Sequence, residues 1–117
     1  MKALAVRQPW ANMLASGEKT VETRTWATDY RGDVLIVSSK TPNIPPAGHA
    51  LAIAELVDCH RMTEKDEIEA CCEVYPNAVA WVFKNIRRIK PFAVKGALRL
   101  FEVNVPPDRL KLLSTKT

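Results

Sequence analysis

Residues 16–26 read SGEKTVETRTW. The β-branched residues Thr20, Val21, Thr23 and Thr25 give this stretch strand character. Yet it also holds Glu18, Lys19, Glu22 and Arg24 and ends on Trp26. In a strand alternate residues share a face, so Glu22, Arg24 and Trp26 are expected to point one way with Thr20. Val21, Thr23 and Thr25 are expected to point the other. Facing water, the acid and the base would form an exposed pair of little worth, and the indole would be an apolar exposure without a reason. Facing a cavity, the three groups work together: Arg24 orients Glu22, Trp26 offers a stacking plane, and Lys19 adds a cation at the rim. Lys19 follows Gly17 before the strand period takes hold, and its stem can swing to either face. Desolvated there, it would drop toward a useful base pKa. A pocket is the reading adopted.

Working outward, KALAVRQ reads as a buried strand and PWANMLAS as a short helix, with Pro9 in the first turn and Gly17 past the end. Trp10, Met13 and Leu14 at i, i+3, i+4 are expected to form its buried stripe, and on that reading Trp10 is core. YRGD turns the chain into the strand DVLIVSS; TPNIPPAG is loop. HALAIAELVDCH is a long strand, small at Ala50, Ala52 and Ala54 and large at Leu51, Ile53 and Val57. Thr63 caps an acidic helix over 63–75, with Asp66 completing a capping box and Ile68, Cys72 and Tyr75 facing inward. AVAWVFKNIRRI and GALRLFEVNV supply the last strands, with Trp81 in the core, and a tail over 106–117 is expected to fray. About six strands and two helices without a βαβ rhythm exclude a doubly wound sheet. They predict an α+β fold built on a small, mostly antiparallel barrel, the helices flanking its cleft.

The 117 residues carry 47% hydrophobic and 26% charged residues, an ordinary globular balance for one domain, 1–117. No signal peptide or membrane-spanning run is read, so the expectation is a cytoplasmic protein without a membrane partner. Cys59, Cys71 and Cys72 fit neither a disulfide framework nor the ligand spacing of zinc, and neither metal nor cofactor is expected. His49 and His60 read as turn or packing residues.

The net charge is +4, unevenly spread. Residues 63–75 hold five of the thirteen acids and one base, leaving sixteen bases against eight acids elsewhere. Lys84, Arg87, Arg88, Lys90, Lys95 and Arg99 follow one another with no intervening acid. Bases alternating with Ile86, Ile89 and Phe92 suit a polyanion, although charges guarding a sheet edge give the same pattern.

The run Gly17-Glu18-Lys19-Thr20-Val21-Glu22-Thr23-Arg24 matches the G-x-K-x-x-E-x-R signature of the ASCH domain family, and the chain is identified as resembling that family over nearly its whole length. RQPWANMLASG resembles the family's first strand and helix, YRGDVLIVSS its Arg-Gly turn and third strand, AWVFKNIRRIKPFAVKGALRLFEV its closing strands. The resemblance implies a barrel akin to the PUA fold with Lys19, Glu22 and Arg24 in a cleft and Arg7, Gln8 and Trp10 lining its opening. It also implies RNA or a related nucleic acid as partner. Some small bacterial members resembling this chain are hydrolases, one branch deacetylating cytidine and another cleaving RNA. The deacetylating branch places a threonine nucleophile three residues after the lysine, where this chain has Glu22, so that mechanism does not transfer intact.

Two functions from different classes follow. The first is binding of RNA or a modified nucleotide, using Arg7, Gln8, Trp10, Trp26, Arg31, Lys84, Arg87, Arg88, Lys90 and Lys95 with Glu22 and Arg24 reading a base edge. The second is hydrolysis of an amide on a modified nucleoside or of an RNA phosphodiester. There Glu22 would be the base on a water and Lys19 or Arg24 would stabilise the oxyanion, making Lys19, Glu22 and Arg24 catalytic. A third reading gives the acidic helix 63–75 a protein partner.

Overall fold

The computed structural model describes residues 1–110. Its elements are β1 (Lys2–Val6), α1 (Trp10–Ser16), β2 (Val21–Arg24), β3 (Gly32–Ser38), β4 (His49–Arg61), a 3-10 turn (Glu64–Asp66) running into α2 (Glu67–Ala70), β5 (Val79–Ala93), β6 (Leu100–Glu102) and a final 3-10 turn (Pro107–Leu110). The strands form one curled sheet in the order β2-β5-β4-β3-β1-β6. All pairings are antiparallel except β1 with β3, which the α1–β2 excursion between them makes parallel. The expected α+β fold of about six mostly antiparallel strands with two flanking helices is therefore observed, the barrel taking the form of an open, curled half-barrel. β2 and β6 are its two free edges, and the gap between them is a seam.

Curling follows from the long β4 and β5, whose register shifts near Ala50/Ala52, Ile53/Glu55 and Leu56/Asp58. Each bulge adds twist and exchanges which side chains face inward. That is why β4 does not keep small residues on one face: Ala52, Ala54 and Leu56 join one apolar cluster while Ala50 and Ile53 join another.

Helix α1 is the instructive departure. It buries Ala11, Leu14 and Ala15 in place of Trp10, Met13 and Leu14. Both sets have i, i+3, i+4 spacing, and they differ by one residue, about 100° of rotation. The alanines let the helix lie close on the sheet, and the rotation turns Trp10 outward, 38% exposed. Gly17 ends the helix as expected, with φ +82 and its N–H donating to the Leu14 carbonyl.

The acidic segment has its capping box between Thr63 and Asp66, but the α-helical part is a single turn stopped by Cys71 at φ +58. Too short to present a stripe, it leaves Ile68 exposed and Tyr75 half exposed, against the inward placement expected of both. The last strand is also shorter than the expected GALRLFEVNV, because residues 96–99 form a loop. Of the tail expected to fray, Pro107–Leu110 forms a turn with Leu110 packed on the second apolar cluster; residues 111–117 lie outside the described residues. Among the described residues no helix is long and apolar enough to cross a membrane.

Candidate functional site

A cleft of about 530 Å³ occupies the seam. Its walls come from β1, the turn after it and the start of α1 (Ala5, Arg7, Trp10), from Lys19 and β2 (Glu22, Thr23, Arg24), from the segment after α2 (Cys72, Tyr75), and from the β5–β6 loop (Ala97, Leu98, Arg99). The sheet stops at β2 on one side and at β6 on the other, and it is β2 and the loop leading into β6 that border the cleft.

The signature residues form its floor. Lys19 is 1% exposed, a buried base and not the rim cation expected; its backbone N–H donates to the Met13 carbonyl at 3.0 Å. Its ammonium donates to the Ala70 carbonyl and lies 3.8 Å from Glu22 Oε1. The other Glu22 oxygen is 3.1 Å from Arg24 Nη2, which also donates to the Ala5 carbonyl at 2.6 Å. Glu22 is thus clamped between two cations, and Arg24 stitches β2 to β1 across the seam. An exposed pair of this kind contributes little, whereas removing one member of a buried set strands the others without compensation.

Thr23, expected on the opposite face, borders the cleft as well, its Oγ1 4.0 Å from Cys72 Sγ. β2 is an edge strand, and three successive residues of it, Glu22, Thr23 and Arg24, line the cleft.

The remaining expected residues divide by location. Arg7 and Trp10 line the cleft. Gln8 does not: it is buried, its amide donating to Ser38 Oγ at 2.9 Å and Asn12 Oδ1 at 3.0 Å while its carbonyl accepts from the Asn12 N–H. Trp26 sits behind the cleft, edge-on to Trp81 with centroids 4.7 Å apart, and its own ring is covered by the Arg99 guanidinium at 4.7 Å. Trp81 is fully buried, as expected, and its Nε1 donates to the Trp26 carbonyl.

None of the stripe lines the seam cleft except its last member, Arg99. Lys84 pairs in register with Glu55, Arg87 forms an ion pair with Asp33 at 2.5 Å, and Arg88 and Lys90 are exposed on β5. Lys95 borders two neighbouring hollows, and Arg31 spends its guanidinium on the Thr28 and Tyr30 carbonyls.

Sequence reasoning passed over Cys72, Tyr75, Leu98 and the cleft role of Arg99. Only the place of Arg99 at the end of the basic run hinted at any of them. It also missed the partners of His60. That ring places Nδ1 2.7 Å from Asp58 Oδ2 and Nε2 3.0 Å from Asp66 Oδ2. Hydrogen bonding to Asp58 and then to Asp66 raises the His60 pKa. Asp58 is lowered chiefly by the same hydrogen bond, and Asp66 is lowered because the bonds from Thr63 and His60 outweigh its burial.

The open α+β half-barrel of six strands and two helices is the fold of a class of small domain, and comparison places the chain within it. The ASCH domain model matches residues 4–93, and the chain belongs to that family. It is 24% identical to human activating signal cointegrator 1 and 23% to the mouse protein, in each case over 86% of this chain and 22% of theirs. The chain therefore spans about a fifth of the length of the curated relatives it matches. The crystal structure of ASCH from Zymomonas mobilis superposes with a TM-score of 0.69 at 15% identity, covering 88% of this chain and 87% of that one. A mutant of the same Zymomonas protein superposes with a TM-score of 0.70 at the same identity and coverage. That likeness is one of fold.

Proposed function

We propose that this domain binds single-stranded RNA or a modified nucleotide in the seam cleft. The carrying observation is the charge arrangement: four cations (Arg7, Lys19, Arg24, Arg99) against one carboxylate, Glu22, in a single concavity. Lys19 and Arg24 already share Glu22, so Arg7 and Arg99 are the cations left for a ligand anion. The cleft volume falls inside the range of small-molecule sites, about 300–1,000 Å³. Trp10 and Tyr75, both partly exposed, add aromatic surface at its border. A concave site of this size accommodates a splayed base with its phosphate better than it does a duplex.

Thr23 at the cleft edge supports a second reading, a hydrolase acting on the same class of ligand, since it sets a hydroxyl in the same cleft as Lys19. The clamp on Glu22 weighs against that residue as a base on water, because both of its oxygens already face cations. Release of acetate from acetylated cytidine that disappears in Thr23→Ala would favour the hydrolase.

The binding proposal is tested by titrating labelled single-stranded RNA at increasing salt. Affinity is expected to fall linearly on logarithmic axes, and Arg7→Ala to reduce the slope by about 0.7, the value of one released counterion. A salt-independent affinity, or no binding at low salt, would overturn it.

A further inference from the structure

We infer that Arg99 is the anchor for a ligand phosphate and that Trp26 exists to hold it there. This rests on the cleft-binding reading above and narrows it to phosphorylated ligands. Arg99 stands at the end of the β5–β6 loop, one residue before β6, and lines the seam with Ala97 and Leu98. Its backbone is left-handed, φ +57, a conformation that an L side chain adopts only when its surroundings impose it.

The Arg99 side chain rests on a stack of aromatic rings. Trp81 is fully buried and donates its indole N–H to the Trp26 carbonyl at 3.1 Å. Trp26 meets Trp81 edge-on at an interplanar angle of 79°, and the guanidinium carbon of Arg99 lies 4.7 Å from the Trp26 ring centroid. The guanidinium is thereby fixed to the core through two indoles.

The guanidinium sits over the ring and, among the described residues, makes no ion pair, so its N–H groups remain for the two oxygens of one phosphate, which a guanidinium can grip as a fork. Among the described residues no carboxylate lies within ion-pair distance of Arg99 or of Arg7. Glu22, the cleft's own acid, is held by Lys19 and Arg24 on the β2 wall. A preorganised fork without an internal anion, sharing a concavity with a second such cation, fits a phosphate ester. It also changes the part given to Trp26: with its ring covered by Arg99, the indole is a support for the cation and not a platform for a base.

The test is calorimetric. Each of the four ribonucleosides, its 5′-monophosphate, and inorganic phosphate alone are titrated into wild type, Arg99→Ala, Arg99→Lys and Trp26→Leu. Circular dichroism and thermal melting establish that each variant is folded. Wild type is expected to prefer the monophosphate over the nucleoside by about tenfold or more, the scale of one charge-assisted hydrogen bond. Arg99→Ala should erase that preference, and Arg99→Lys should restore only part of it, since an ammonium cannot fork. Trp26→Leu should reduce it with Arg99 still present.

A monophosphate preference that survives in Arg99→Ala, or wild type binding nucleoside and nucleotide equally, overturns the inference and leaves the cleft reading standing. Full preference in a folded Trp26→Leu overturns the positioning part. Inorganic phosphate binding as tightly as the monophosphates would make this a free-anion site, contrary to the inference. Absence of binding by all these compounds and by RNA overturns both.

Discussion

Lys19 is a long cationic side chain whose ammonium is sealed inside the fold, and everything it needs lies within reach. The Ala70 carbonyl accepts one of its hydrogens, and Glu22 supplies a counter-charge at 3.8 Å. In an interior of low dielectric such a charge persists only when paired and hydrogen-bonded. Glu22 is therefore a structural residue as much as a cleft residue. Glu22→Ala should destabilise the domain by about 3 kcal/mol, because it leaves Lys19 buried without its carboxylate. Urea denaturation checks this, and an unchanged midpoint would contradict it.

That these residues converge was legible from their spacing after Gly17; that the lysine lies buried was not, since the length of its stem permits either placement. Gln8 was illegible for a different reason. The partner that turns it from a cleft residue into a packing residue is Ser38, on β3, and nothing local announces that contact.

Among the elements, the segment from Glu64 to Ala70 is latched to β4 by a histidine. His60 on β4 holds Asp66, the residue that closes the capping box, while Glu69 and Ala70 receive Thr20 and Lys19 from the cleft floor. The raised His60 pKa means the imidazolium latch contributes fully below pH 6.5, its ordinary value, and is lost as pH rises through the raised one. The lowered Asp58 and Asp66 contribute above pH 3.8 and lose that contribution as pH falls through their lowered values. Stability from this triad is thus greatest between those limits. Melting temperature should fall from pH 5.5 to pH 8.5 in wild type, and His60→Gln should flatten that dependence. Identical pH profiles would contradict the latch.

The capping box itself was readable from Thr63 and Asp66, whereas the latch joins residues on different elements. Helix α1 shows the limit of periodicity as a guide. Two overlapping apolar sets satisfied the same spacing, and the alanines won because they allow closer packing on the sheet. That choice is what frees Trp10 for the cleft.

For the molecule as a whole, the strand count and the mostly antiparallel barrel with flanking helices were foreseeable from the ordering of strand and helix signals together with the family signature, whereas the opening of the barrel at a seam between β2 and β6 was not. The parallel β1–β3 pair and the bulges of β4 and β5 were not, because both arise from long-range pairing. The positive charge also divides in a way composition does not show. Part of it lies in the seam cleft, while Lys84, Arg87, Arg88 and Lys90 stand along β5 outside it, Arg87 already spent on Asp33.

Amide chemical-shift mapping during titration with a short single-stranded RNA tests recognition at the seam most directly. The shifts should gather at residues 7–10, 19–24, 72–75 and 97–99 and be weak over 84–90. Shifts centred on 84–90, with the seam silent, would contradict it.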